Sequence, residues 1–315
     1  MNHRSALPVL VFRRDMAVMG LKIMGRNHKQ VNEGGKMIPD KSRYCTEPVT
    51  DWTSSEAAEN WNRNQARRNE MYAAATEMML DLAEIKVGDR VLDIAAGNGG
   101  QTLLAAERVG PDGYVLATDI SANMLHACAD AAHRAGLSNV ETRVMDAENI
   151  DLEPDSFDAV ICRTALMFFS DPSRAIRGIC TAMKPGAKMS AMVFSTAERN
   201  PYQGIPLSIA QRFGSKVPSI FGLGEVRVLE DIFRKGGLVD ITVHPASIRR
   251  HFSSLAALIE SLRSVIFLRE PMADLSESNR ERAWLEIAEQ MDRFASQSGV
   301  DLPGEMLVAV GSKNI

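Results

Sequence analysis

The stretch Val91-Leu-Asp-Ile-Ala-Ala-Gly-Asn-Gly-Gly-Gln101 constrains the fold of this chain more than any other. An apolar run ends at Asp93, a glycine-rich turn follows, and an amphipathic helix is expected over Thr102-Leu-Leu-Ala-Ala-Glu-Arg-Val109. Glycine has no Cβ, so such a turn lets backbone N–H groups approach a ligand closely. The start of the next helix carries partial positive charge and suits a ligand's anionic end. The order strand, turn, helix therefore predicts an α/β fold with a small-molecule site where the strand ends. A dinucleotide loop wants glycines at its first, third and sixth positions; Gly97 and Gly99 fill two of these, and Thr102 stands in place of the last. A phosphate loop would need Gly-Lys-Ser or Gly-Lys-Thr, and the chain contains neither.

The pattern Asp93-x-Ala95-x-Gly97-x-Gly99 resembles motif I of the class I S-adenosylmethionine-dependent methyltransferases, with Ala95 where the family usually has its first glycine. Further stretches match the family in order. Tyr114-Val-Leu-Ala-Thr-Asp119 reads as a second strand ending in an acid, and Ser121 is placed to cap the next helix. A third strand (140–145) ends at Asp146-Ala147, Asp155-Ser-Phe-Asp-Ala-Val-Ile-Cys162 looks like strand 4, and Arg163 follows it. Met183-Lys-Pro-Gly-Ala-Lys-Met189 resembles the turn into strand 5. With Ala165-Leu-Met-Phe-Phe-Ser-Asp-Pro172, these stretches are most similar to the ubiquinone/menaquinone-biosynthesis-type (methyltransferase type 11) small-molecule enzymes.

The resemblance implies a Rossmann-like, doubly wound, mostly parallel sheet of seven strands. N-terminal helices would precede the sheet, and a helical insertion would come before the last strand. It also implies S-adenosyl-L-methionine as cofactor. The expected cofactor residues are Asp93, Ala95, Gly97, Gly99, Asp119, Ile120, Asp146, Ala147 and Arg163. In the family, Asp119 would take both ribose hydroxyls, which suits a carboxylate with two accepting oxygens. The implied acceptor is a small molecule methylated at carbon or oxygen, such as a quinol or phenol. Two other readings stay open at this point. One is a cofactor-binding regulatory protein without turnover; the other is an NAD(P)-dependent oxidoreductase, since Asp119 alone would also suit a dehydrogenase.

Residues 1–50 are expected to be a disordered or mis-assigned extension, with Met37 as an internal start. The segment is basic and acid-poor to Arg43, so an organelle presequence is the alternative to a cytoplasmic protein. Residues 51–84 read as a helical cap whose apolar stripe includes Trp61 and Tyr72; with Trp52 these are candidate pocket aromatics. Residues 85–315 read as the main domain. Strand 6 is expected over Asp240-Ile-Thr-Val-His-Pro245 and the last strand over Met306–Gly311. Two helices between them, 254–269 and 276–296, would form a substrate lid over about 252–298, or else a homodimer surface.

No catalytic residue follows from the fold. His251 is the weak candidate for a base, while His244 is expected to face outward. Arg249 and Arg250 read as a solvated pair, and Phe168 with Arg163 as pocket residues after strand 4. A net charge of −4 gives no basic surface for nucleic acid. The position after strand 4 reads Arg163-Thr-Ala-Leu166, without the Asn/Asp-Pro-Pro motif of amino-methylating DNA enzymes. The four cysteines (Cys45, Cys128, Cys162, Cys180) form no C-x-x-C pair, so no metal site is expected. No apolar run approaches the ~20 residues of a membrane span.

Overall fold

The computed structural model describes residues 51–315. The expected extension, with Met37 and Cys45, lies outside the described residues. Two helices come first, α1 (Ser55–Arg63) and α2 (Gln65–Leu82). The Ser54 side chain caps α1 by accepting from the Ala57 N–H. The helices expected to precede the sheet part at Asn64, whose φ of −101° and ψ of 9° leave the helical region. Tyr72, Ala75, Thr76, Met79 and Leu80 recur at helical spacing on α2 and are buried.

The core alternates strands and helices: β1 (Arg90–Ile94), α3 (Gly100–Val109), β2 (Tyr114–Asp119), α4 (Ala122–Arg134), β3 (Val140–Val144) and β4 (Phe157–Arg163). Then follow α5 (Pro172–Ala182), β5 (Met183–Phe194), α6 (Pro201–Arg212), α7 (Val226–Lys235) and β6 (Leu238–Phe252). The sheet order is β3-β2-β1-β4-β5-β8-β6, with β8 (Gly299–Lys313) antiparallel to both its neighbours and the first five strands parallel. A two-residue strand, β7 (Ala295–Ser296), pairs with the start of β8 and makes an eighth strand beyond the seven expected. Val91, Leu92, Ile94, Val160 and Ile161 are fully buried, because helices cover both faces of a parallel sheet. The chain runs from β1 outward to β2 and β3 and then returns to β4 on the other side of β1. That reversal opens a crevice at the carboxyl ends of β1 and β4, where open α/β sheets bind ligands.

Two expectations are corrected in the C-terminal third. Strand β6 does not stop at Pro245 but continues to Phe252, and β8 begins at Gly299 rather than near Met306. Proline removes a ladder donor, yet it is tolerated where a strand has only one neighbour. β6 is the sheet's last strand. Pro303 lies in the part of β8 that pairs with β6 alone, since the β5 pairing begins at Met306. The pair thus runs on past the sheet as a two-stranded ribbon. The inserted helices number three instead of two: α8 (Leu255–Arg263), α9 (Ile266–Ala273) and α10 (Glu277–Asp292). The first two part at Ser264, whose carbonyl accepts from Asn60 Nδ2 at 2.8 Å.

Candidate active site

A cavity of about 320 Å³ opens at the carboxyl ends of β1, β2 and β4. The glycine turn forms one wall. Ala95 holds a left-handed φ of +52°, so its backbone takes the conformation a glycine would adopt, at the cost of a Cβ. Gly97 also lies at positive φ, and a Cβ there would come within 3.1 Å of Trp61 Nε1. Gly99 caps α3 at φ +85°, and its added Cβ would meet Cys128 Sγ at 2.7 Å. Ala95 and Gly97 line the cavity, whereas Gly99 packs away from it against α4.

Asp119, 8% exposed, lines the cavity at the end of β2. Its Oδ2 accepts the Gly97 N–H at 2.8 Å and its Oδ1 accepts the Ser121 N–H at 2.9 Å. A carboxylate has about four lone-pair sites, so both oxygens can still accept from a ligand. Burial pushes this carboxyl up, partly offset by those backbone hydrogen bonds. Asp93 sits behind the turn instead of in the cavity lining. It accepts from Gln101 Nε2 at 2.9 Å and from Thr102 Oγ1 at 2.6 Å. Complete burial pushes its carboxyl up to about 7, against the pull of those donors and of Arg163. Thr102, where a dinucleotide loop would have its last glycine, is therefore engaged with Asp93.

On the far side, Ile120, Asp146 and Ala147 line the cavity, and Ile120 leaves 49% of its surface in solvent. Asp146 accepts the Glu148 N–H at 2.9 Å, and Glu148 in turn accepts the Ser170 and Asp171 N–H groups, which ties the β3 loop to the start of α5. Arg163 is buried in the cavity wall, and from there it donates to Asn69 Oδ1 at 3.0 Å and Thr76 Oγ1 at 3.3 Å, both on α2. Trp52 meets Trp61 edge-on at 5.6 Å between ring centroids and Phe168 at 5.3 Å, closing the mouth with three aromatics. Gln101, Glu148 and Thr164 also line the cavity. Of these, Gln101 could have been found as the first side chain after the glycines. Thr164 gave no signal, yet it holds φ +56°, a rare conformation for a β-branched residue. Such strain clusters at functional sites.

Comparison with known proteins fits this geometry. Residues 85–212 match the family model described as "Methyltransferase domain". These residues are similar to a methyltransferase domain. The ubiquinone/menaquinone biosynthesis C-methyltransferase UbiE of Methylococcus capsulatus is 35% identical over 117 residues, covering 37% of this chain and 47% of that protein. The enzyme of the same description from Pseudomonas savastanoi pv. phaseolicola is 31% identical over 163 residues, covering 51% of this chain and 63% of that protein. The chain thus spans about half to two thirds of the curated relatives it matches. Among solved structures, the YcgJ protein of Bacillus subtilis is similar in fold, with 18% identity, TM-score 0.55, and 77% of this chain and 99% of that one covered.

A second, inner cavity of about 120 Å³ adjoins the first, and Trp61, Thr164 and Phe168 line both. Its other walls come from α1 and α2 with Tyr72, the end of β5 and the start of α6 with Phe194 and Tyr202, the β6 ribbon with Arg250 and Phe252, and α8 and α9. Strand alternation settles the fate of His251. With Arg250 and Phe252 turned inward and buried, His251 points out, exposed, and pairs with Asp301 Oδ1 at 3.0 Å. The base candidate is therefore withdrawn, because its side chain lies on the wrong face of the ribbon. The expected solvated arginine pair is corrected for the same reason: Arg249 is exposed, while Arg250 is buried against Tyr202 at 4.6 Å from its ring centroid. Cys128 and Cys162 are buried, and burial pushes both thiols up to about 12, so they act as apolar filler. No helix among the described residues is long and apolar enough to cross a membrane.

Proposed function

We propose that this chain transfers a methyl group from S-adenosylmethionine to a small-molecule acceptor. The observation that carries the reading is the placement of Asp119: a cavity-lining carboxylate at the end of β2, fixed by the Gly97 and Ser121 N–H groups. The cavity lining fits the sulfonium nucleoside. Asp119, Asp146 and Glu148 give it acid, and its volume of about 320 Å³ falls within the range of small-molecule sites. Asp119 would accept the ribose hydroxyls with the lone pairs its backbone bonds leave free. Ile120 and Ala147 would flank the adenine beside Asp146, and Gln101 and Arg163 would face the amino-acid end.

When bound, the cofactor supplies a methyl group already activated on sulfur. The chain's own work is alignment and exclusion of water. The inner cavity would hold the acceptor so that it meets the first cavity at Trp61, Thr164 and Phe168, the residues common to both. Alignment of this kind can lower a barrier by ~7–11 kcal/mol. Among the described residues neither cavity is lined by a histidine, so no histidine base is assigned. The helices α8 and α9 wall the inner cavity and serve as the lid.

Isothermal titration with S-adenosylhomocysteine tests the proposal, with NADH as the comparison ligand. Binding of the nucleoside and not of NADH supports it. A folded protein that takes NADH and ignores S-adenosylhomocysteine would overturn it.

A further inference from the structure

The inner cavity is basic, whereas the first is acidic. Arg67, Arg68 and Arg250 line the inner one, and no Asp or Glu does among the described residues. Arg250 is 6% exposed and Arg68 is 9% exposed. Among the described residues, Arg250 Nη1 and both Nε and Nη2 of Arg68 have no hydrogen-bond partner. Arg68 spends its remaining Nη1 on the Trp61 carbonyl at 2.9 Å, with its guanidinium 3.7 Å over the Trp61 ring. Arg250 stacks on Tyr202, which is itself stacked on Phe252 at 5.7 Å between centroids. Nearby Arg163 is turned to α2, and it adds to the positive field that, after burial itself, lowers Arg68 to about 9. Arg68 nevertheless stays protonated at neutral pH. Buried cations normally have a hydrogen-bonded counter-charge, since desolvation without one is costly. Here the described residues supply none.

We infer that the acceptor carries an anionic oxygen group, a carboxylate or a phosphate, held by Arg250 and Arg68 while its apolar body reaches the Trp61–Thr164–Phe168 junction. This inference deepens the methyl-transfer reading and rests on it. Guanidinium forks match planar or tetrahedral oxyanions with two donors at once. An apolar site of about 150 Å³ accommodates benzene, so the 120 Å³ here suits a single aromatic ring or a short chain. The two cavities then attract their ligands by opposite charge: acids around the sulfonium nucleoside, arginines around the acceptor. A neutral quinol would leave the arginines uncompensated.

The test is titration calorimetry on the wild-type protein, both saturated with S-adenosylhomocysteine and free of it. The probes are 4-hydroxybenzoate and phenyl phosphate, with neutral 4-hydroxybenzamide and phenol as their counterparts. At least one anion should bind tenfold or more tightly than its neutral counterpart and weaken as salt rises; the tighter of the two identifies the carboxylate or the phosphate class. Arg250→Gln should reduce that preference to below twofold and leave S-adenosylhomocysteine affinity within twofold. Neutral probes binding as well as both anions, or anions failing to bind at all, would overturn the inference while the methyl-transfer reading stands. A preference that survives Arg250→Gln would equally overturn it. If that variant does not fold, the wild-type difference and its salt dependence decide the matter alone. Anion preference in a protein that ignores S-adenosylhomocysteine would remove the acceptor's role together with the methyl-transfer reading.

Discussion

The Asp119 carboxylate accepts the backbone N–H of Gly97 at 2.8 Å, so the acid ending β2 holds the turn that follows β1. One side chain therefore shapes the cofactor cavity and lines it. Asp119→Ala leaves the Gly97 and Ser121 N–H groups without their acceptor, which costs ≈ 1–3 kcal/mol for a buried donor. We expect urea unfolding to show a loss of about that size, together with at least a tenfold weaker S-adenosylhomocysteine affinity. Loss of stability without loss of affinity would make Asp119 a purely structural residue.

Asp93 sets a pH dependence whose sign is fixed. Its folded carboxyl titrates at about 7 because it is buried, against roughly 3.9 when unfolded. Between those values the native state keeps a proton that the unfolded chain releases. Its contribution is thus fully present below the unfolded value and is lost as pH rises through about 7. At about 1.36 kcal/mol per unit, stability should fall by roughly 2 kcal/mol between pH 5.5 and 8. Asp119, also raised by burial, acts in the same direction. Asp93→Asn should flatten most of that slope in urea titrations at the two pH values. A wild-type profile rising from pH 5.5 to 8 contradicts this account.

The glycine turn makes opposite predictions at two positions. Ala95 sits at φ +52°, so Ala95→Gly should relieve strain and stabilise the fold by about 1 kcal/mol. Gly99→Ala adds a Cβ 2.7 Å from Cys128 Sγ and 3.3 Å from Cys128 Cα, at φ +85°. We expect it to destabilise by about 2 kcal/mol, the range of overpacked cores. Thermal melts of the two variants should move in opposite directions.

Much of this was legible because it is local. The acids at 93, 119 and 146 lie at strand ends or just beyond them, and the glycines at 97 and 99 in the turn from β1 to α3, where period and punctuation read directly from the chain. The inner cavity was not legible, because it depends on the phase of β6 beyond Pro245. A strand taken to stop at proline leaves Arg250 and His251 in a loop with no defined facing. Once β6 is known to be the sheet's edge, the strand runs on and alternation turns Arg250 inward. Thr164 was illegible for another reason: its positive φ comes from tertiary context, against the preference of a β-branched residue.

His251 should prove dispensable. It is exposed and, among the described residues, its side chain pairs only with Asp301; exposed pairs of this kind contribute ≈ 0–1 kcal/mol. His251→Ala is expected to change turnover of any accepted substrate by less than twofold and to leave S-adenosylhomocysteine affinity unchanged. A loss of turnover beyond tenfold would restore the histidine as a base and require the ribbon to turn over in the working enzyme.

A crystal structure of the S-adenosylhomocysteine complex tests the central claim most directly. The account predicts the ribose hydroxyls within about 2.5–3.0 Å of the Asp119 carboxylate, the adenine between Ile120 and Ala147, and the sulfur facing the Trp61–Thr164–Phe168 junction. A nucleoside bound elsewhere, or one whose ribose turns away from Asp119, would contradict it.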